Sequence, residues 1–336
     1  MPTYVLTGGA GFIGSNFVRL ALGQAPDLRV VDIDLLTYAG NLENLAGVPE
    51  DRHTFIRADI TDAEAVARAI PPGADALINF AAETHVDRSI LGPLAFVRTN
   101  VLGTQVLLEA ARARGVRRFL QVSTDEVYGS LAPDAPPFTE DHPLAPSSPY
   151  AASKAGADLL VLASHRTYGQ DVVITRCSNN YGPYQFPEKL IPLMLSNALE
   201  DKPLPVYGDG RQVRDWVYAD DHARAILAAA VRGRPGRIYN IGARQERCNV
   251  DVVREVLRQL GKPESLIRHV TDRPGHDRRY AIDPTRAQEE LGWRPEVEFE
   301  DGLARTIRWY RDNTDWWRRV KDGSYREFYE KWYGRR

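Results

Sequence analysis

Residues 4–16, YVLTGGAGFIGSN, decide how this chain folds. A short apolar run, Tyr4 to Leu6, reads as a strand and passes straight into a turn carrying Gly8, Gly11 and Gly14, after which a helix rich in apolar residues begins. Without a Cβ the turn tightens and its backbone comes close to a diphosphate, whose charge is met by N–H groups at the helix start, at Phe12, Ile13 and Gly14. Working outward, Arg29 to Ile33, Ala76 to Asn79, Phe119 to Val122 and Val172 to Thr175 repeat the strand signal, with helical periodicity between them. The rhythm predicts an α/β fold, a doubly wound parallel sheet with ligands beyond the carboxyl ends of its strands.

The rhythm fails after about residue 178, where Pro, Gly and aromatic residues gather in NNYGPYQFPEKLIP and later in RPGHDRRY. Residues 1–178 are therefore expected to hold a dinucleotide and 179–336 to form a smaller substrate lobe. Within the lobe, 215–241 carries a helical stretch, Ala219 to Ala230, and a short strand, Arg237 to Ile241, which are expected to return to the main sheet. The 336 residues are 43% hydrophobic and 26% charged, enough for a large core, and 43 Lys+Arg against 45 Asp+Glu leave no overall basic field for nucleic acid. No apolar run approaches the ~20 residues that span a bilayer, and the start lacks a basic, apolar leader, so a cytoplasmic protein is expected. Cys177 and Cys248 are too far apart for a metal knuckle or redox pair, and no metal is expected.

Asp34 ends the second strand 20 residues past Gly14, where a carboxylate accepts hydrogen bonds from an adenosine ribose and repels a 2′-phosphate. Leu35, Leu36 and Thr37 follow it in place of an arginine, which favours NAD over NADP. Asp59 and Ile60, following a third strand, are placed to cap the adenine edge. Tyr150 and Lys154 stand four apart at the start of a predicted helix, on one face of it. A phenol of ordinary pKa near ~10 is a poor base, so a nearby ammonium and a positive nicotinamide are expected to favour its phenolate. Thr124, at the end of the strand Phe119 to Val122, completes a hydrogen-bonded set suited to oxidising a secondary alcohol.

The segments TGGAGFIGSNFV, LLTYAGNLENL, AAETHVDRSI, STDEVYGS, SPYAASKA, NNYGPYQFPEKLIPL, RDWVYADDHARA and DRPGHDRRYAID occur in this order. Together they resemble the dTDP-glucose 4,6-dehydratases, of the extended short-chain dehydrogenase type with a Rossmann sheet. The resemblance implies a homodimer with tightly held NAD that converts dTDP-glucose to dTDP-4-keto-6-deoxyglucose. It assigns the acid to Asp125 and the base to Glu126. Once C4 is a ketone, the C5 hydrogen is acidic; Glu126 removes it while Asp125 protonates the departing C6 hydroxyl, after Tyr150 has taken the C4 hydroxyl proton. The hydride returns to C6, so the net redox change is zero and the enzyme is a hydro-lyase.

By the same resemblance Ala81, Ala82, Glu83, Thr84, His85, Thr99 and Asn180 join Tyr150 and Lys154 at the cofactor. His85, Thr124, Asn179, Lys189, Leu190, Asn249 and the run Asp272, Arg273, Pro274, Gly275 and His276 meet the substrate. Arg214 pairs with its diphosphate, with a surface ion pair to Asp215 as the plainer alternative. Pro205, Val206 and Tyr207 frame the nucleobase, though no residue announces thymine over uracil. A uridine-sugar epimerase or decarboxylase is the nearest rival, opposed by Asp125 and Glu126; a non-catalytic NAD sensor is opposed by the intact Thr124, Tyr150 and Lys154 set. The aromatic tail, Trp316 and Trp317 through Tyr325, Phe328, Tyr329 and Trp332, is expected to pack on the protein's own surface rather than on a membrane.

Overall fold

The structure, a computed structural model, describes residues 1–321. Seven parallel strands form its centre: β1 (Thr3–Thr7), β2 (Arg29–Asp34), β3 (His53–Arg57), β4 (Ala76–Asn79), β5 (Phe119–Thr124), β6 (Val172–Cys177) and, much later, β10 (Arg237–Ile241). Their spatial order is β10-β6-β5-β4-β1-β2-β3. The order reverses between β1 and β4, which opens a crevice at the carboxyl ends of the strands. β4, β5 and β6 are buried along their whole length because helices cover both faces of the sheet. β3 is the strand expected before Asp59, for which no bounds were read from sequence. Its residues are mostly half-buried at the sheet edge, so its apolar signal is weak.

The helix carrying Tyr150 and Lys154, Pro149–Tyr168, has a complete set of boundary signals. The Ser148 side chain accepts from the N–H of Ala151 at 3.1 Å, Pro149 takes the first helical position, and Gly169 ends the helix with a left-handed φ of 67°.

Between β6 and β10 the chain makes β7 (Asn179–Tyr181), β8 (Leu204–Tyr207) and β9 (Val213–Tyr218). β11 (Glu246–Cys248) joins β9 and β7 in a three-stranded sheet, and β12 (Ile267–Val270) pairs with β8. Helices Leu190–Leu199, Asn249–Leu260 and Phe299–Asp312 pack over these strands through a second apolar core that includes Leu195, Val253 and Phe299. Asp215 lies on β9, in this smaller sheet. The return to the main sheet begins with the helix Ala219–Arg232 and ends with β10 against β6.

Trp316 and Trp317 are buried, and their indole N–H groups donate to the side chain of Asn44 and the carbonyl of Tyr310, both at 2.9 Å. They pack on the protein itself, as expected; Tyr325, Phe328, Tyr329 and Trp332 lie outside the described residues. Among the described residues no helix is long and apolar enough to cross a membrane.

Candidate active site

A cleft of about 350 Å³ lies at the carboxyl ends of the central strands. Its floor is the glycine turn. Gly8 has φ 76°, and a Cβ there would stand 2.7 Å from the backbone nitrogen of Ala81; at Gly14 a Cβ would stand 2.7 Å from the Cα of Gly9. The turn is thus closed to side chains at Gly8 and Gly14, and no described side chain caps the helix that starts after Gly11. Its first N–H groups are left to meet an anion. The buried Asp34 carboxylate accepts from the N–H of Ala10 at 3.1 Å and of Leu36 at 2.8 Å.

The sequence-predicted residues Gly8, Gly11, Phe12, Ile13, Gly14, Asp34, Leu35, Thr37, Asp59, Ile60, Ala81 to Thr84, Thr99 and Asn180 all line this cleft. Leu36 does not. Its φ of 58° turns the N–H onto Asp34 and the side chain onto the main core.

A smaller cleft of about 140 Å³ is lined by His85, Pro205, Val206, Tyr207, Arg214, Asn249, Arg273 and His276. The two share Glu126, Asn179, Glu188, Lys189, Leu190 and Trp216. Asp272, Pro274 and Gly275 fall outside both linings and are exposed. Asp272 acts from behind, accepting from Gln212 at 2.9 Å and holding the His276 ring at 2.6 Å. Thr124 lines the larger cleft and not the smaller.

At the junction, Thr124 ends β5 and its hydroxyl accepts from the N–H of Glu126 at 3.3 Å, starting a short 3₁₀ turn that carries Asp125 and Glu126. Asp125 is buried and its Oδ2 has no hydrogen-bond partner among the described residues. Burial raises its carboxyl well above the usual range, and the charges of Glu126 and Asp215 push the same way. Enclosure also raises Glu126, but Arg273, Lys189 and Arg214 oppose it. Both carboxyls are raised, Asp125 the more strongly, because neighbouring carboxylates add to burial there whereas cations oppose it at Glu126.

Tyr150 is buried beside them, and its phenol is raised well above its ordinary value by burial first and by the charges of Glu126 and Cys177 next. The expected phenolate is thus not a property of the protein by itself. The Lys154 ammonium donates instead to the carbonyl of Val122 at 2.7 Å, and burial lowers its pKa.

Arg214 is buried, donating to the carbonyls of Val213 at 2.7 Å and Asp277 at 2.9 Å, with its guanidinium 4.2 Å from the centre of the Tyr280 ring. Asp215, the next residue on the strand, faces the other way and accepts from Ala243 and Gln245. The surface ion pair considered for Arg214 is excluded. Lys189 donates to the Thr84 carbonyl at 2.7 Å, and burial lowers its pKa. Arg214, Lys189 and Arg273 thus bring three cations to the inner end of the smaller cleft, against Glu126.

The family model described as GDP-mannose 4,6 dehydratase matches residues 5–306. The chain is 53% identical to a dTDP-glucose 4,6-dehydratase of Xanthomonas campestris pv. campestris over 97% of this chain and 98% of that one. It is 50% identical to one from Escherichia coli over 96% of this chain and 97% of the relative. The chain belongs to the dTDP-glucose 4,6-dehydratase family. A crystal structure of the Streptomyces venezuelae dTDP-glucose 4,6-dehydratase with NAD bound shares 54% identity and a TM-score of 0.92, over 95% of this chain and all of that one (100%). A UDP-glucose 4-epimerase of Thermus thermophilus in complex with NAD shares 33% identity and a TM-score of 0.85, over 93% of this chain and 99% of that one.

Set against this dehydratase family, several residues that shape the clefts escaped the sequence reading. Asp32, inside β2, is fully buried and accepts from the N–H of Gly9 at 2.9 Å, fixing the turn. Asp87 holds the hydroxyl of Tyr207 at 2.7 Å and the guanidinium of Arg273 at 3.2 Å. His222 holds the side-chain oxygen of Asn180 at 2.8 Å. Only the position of each within a motif shared with the family could have flagged them.

Proposed function

We propose that this chain is a hydro-lyase that converts dTDP-glucose to dTDP-4-keto-6-deoxyglucose and water, with NAD used and regenerated in each turnover. The observation that carries this reading is the carboxyl pair Asp125 and Glu126 in the larger cleft, with Glu126 also lining the smaller one and Asp125 the more strongly raised of the two. The cofactor fits the larger cleft: the glycine turn admits no Cβ at Gly8 or Gly14, the helix start faces it, and Asp34 offers a carboxylate to a ribose. NAD bound there supplies a hydride acceptor for C4 and then the hydride for C6.

The chain's own residues do the proton chemistry. Tyr150 takes the proton of the C4 hydroxyl, with Thr124 beside it and Lys154 as the cation the protein supplies. Glu126, whose carboxyl burial raises against the opposing charges of Arg273, Lys189 and Arg214, removes the C5 proton. Asp125, whose carboxyl burial raises well above its usual range, delivers a proton to the C6 hydroxyl as it leaves. Arg214, Lys189 and Arg273 hold the diphosphate, and Pro205, Val206 and Tyr207 border the nucleoside. His85 and Asn179 line the floor between them, and Trp216 and Asn249 bring a buried indole N–H and a buried amide oxygen that have no partner among the described residues.

An epimerase built on the same sheet has no use for an acid and base pair at this junction. Incubation of the purified protein with dTDP-glucose and no added cofactor, followed by mass spectrometry, tests the difference. Loss of the mass of one water supports the dehydratase; unchanged mass with a rearranged hydroxyl overturns it.

A homodimer is part of the same proposal. Leu91, Leu94, Val97 and Leu102 on one helical run, and Leu159 on the helix Pro149–Tyr168 packed beside it, are exposed apolar residues that a second copy would cover. Sedimentation velocity giving a monomer at micromolar concentration would overturn this. Two unpaired cysteines and a nucleotide-linked substrate suit the reducing cytoplasm.

A further inference from the structure

Glu188 takes no part in the chemistry above, yet it is a buried carboxylate lining both clefts. Its Oε1 accepts from the hydroxyl of Tyr38 at 2.9 Å and its Oε2 from Nε of Arg88 at 3.3 Å. The Arg88 guanidinium lies 4.1 Å from the centre of the Tyr38 ring, and that ring meets Phe186 edge-on with centroids 5.5 Å apart. Tyr38 stands in the loop after β2, whose Thr37, Ala39 and Gly40 line the cofactor cleft next to the glycine turn. Phe186 and Glu188 line the same cleft from a segment 150 residues further on.

A carboxylate is costly to bury, and a residue kept there only for packing would be apolar. The two side chains that bond Glu188, Tyr38 and Arg88, come from the cofactor-holding half, whereas Glu188 itself stands two residues before the helix Leu190–Leu199 that walls the substrate cleft.

We infer that Tyr38, Arg88 and Glu188 form a clasp that retains NAD in its cleft, with Glu188 as a positioning residue tying that retention to the substrate-holding segment. The inference rests on reading the larger cleft as the NAD site. A cofactor regenerated in every turnover has no reason to leave, and a clasp between two cleft walls slows its exit without touching the reacting atoms. Lys189, the next residue, reinforces the closure by its bond to the Thr84 carbonyl.

The full-length protein, Tyr38→Phe, Glu188→Ala and the double variant test this. Each is gel-filtered without nucleotide, its bound NAD is counted after acid release, and dissociation is timed by chase with excess labelled NAD. A hydrogen bond to a charged group corresponds to roughly 10- to 100-fold in an equilibrium constant. Tyr38→Phe is expected to release NAD on the order of tenfold faster, and Glu188→Ala faster still. The double variant should match Glu188→Ala, since that substitution already removes the bond from Tyr38 along with the one from Arg88. Activity without added NAD should fall in step and return when NAD is supplied.

Parent-like dissociation in both single variants, or effects that multiply in the double, overturns the clasp. A parent that neither carries nor binds NAD overturns the cofactor reading instead, and the clasp with it. If Glu188→Ala does not fold, Tyr38→Phe, which loses one hydroxyl and keeps the ring, decides alone.

Discussion

Replacing Glu126 by Gln removes a proton acceptor and almost nothing else. The side chain keeps its size, and the bond from its N–H to the Thr124 hydroxyl at 3.3 Å belongs to the backbone, so the turn that presents Asp125 stays in place. A positioned general base contributes about 10² to 10⁴ in rate, or about 2.7 to 5.4 kcal/mol of barrier. The upper half of that range is expected, because a glutamine has no proton-accepting group to replace the carboxylate, and burial raises the neighbouring Asp125 well above the usual carboxylate range. The substrate should still be oxidised at C4, leaving reduced cofactor visible by its near-ultraviolet band, while loss of water is suppressed. Single-turnover mass spectrometry in deuterium oxide separates the steps. Glu126→Gln should neither exchange the C5 hydrogen nor lose water; Asp125→Asn should exchange it yet lose water slowly. Water loss by Glu126→Gln at near the parent rate refutes the assignment, and failed exchange in Asp125→Asn refutes the division of labour.

Tyr150→Phe should act one step earlier, lowering formation of the reduced cofactor on the order of 10² or more in stopped-flow absorbance, before any C5 exchange. Gly14→Ala puts a Cβ 2.7 Å from the Cα of Gly9, a backbone clash, so the protein should purify folded by circular dichroism but without bound NAD. The raised carboxyl of Asp125 also sets a pH dependence of stability. Below the ordinary carboxylate range both folded and unfolded chains hold this proton and nothing is lost; above it the unfolded chain releases the proton first, so stability falls as pH rises. Asp125→Asn removes that loss, and its melting temperature should exceed the parent's by more at pH 8 than at pH 4 in differential scanning fluorimetry, where the reverse order would show that Asp125 is ionised in the fold.

The parts legible in sequence are those whose physics is local. A strand, a glycine turn and a helix sit within residues 3–24, and Pro149 with Ser148 marks the helix that pairs Tyr150 with Lys154. Asp125 and Glu126 could be placed because they directly follow a strand end. Glu188, Asp87 and His222 were not legible: their meaning lies in partners 150, 120 and 42 residues away, and a carboxylate or imidazole in sequence looks the same whether it is solvated or buried. How strongly burial acts on Tyr150 was not legible for a related reason. Spacing shows that a lysine is near, but not that its ammonium is spent on the Val122 carbonyl while burial acts unopposed by it.

The pairing of β10 with β6 limits how this chain can be cut and recombined. A chimera joining the front of one relative to the back of another near residue 178 would take the last two neighbouring strands of the main sheet from different parents, and a chain simply stopped there would leave β6, buried along its whole length, as an open edge for other chains to pair with. A junction beyond Ile241 keeps both strands, and the helix Ala219–Arg232 between them, from one parent. Domain exchange in this scaffold therefore has its natural seam after the sheet closes, about sixty residues past the point where the sequence changes character.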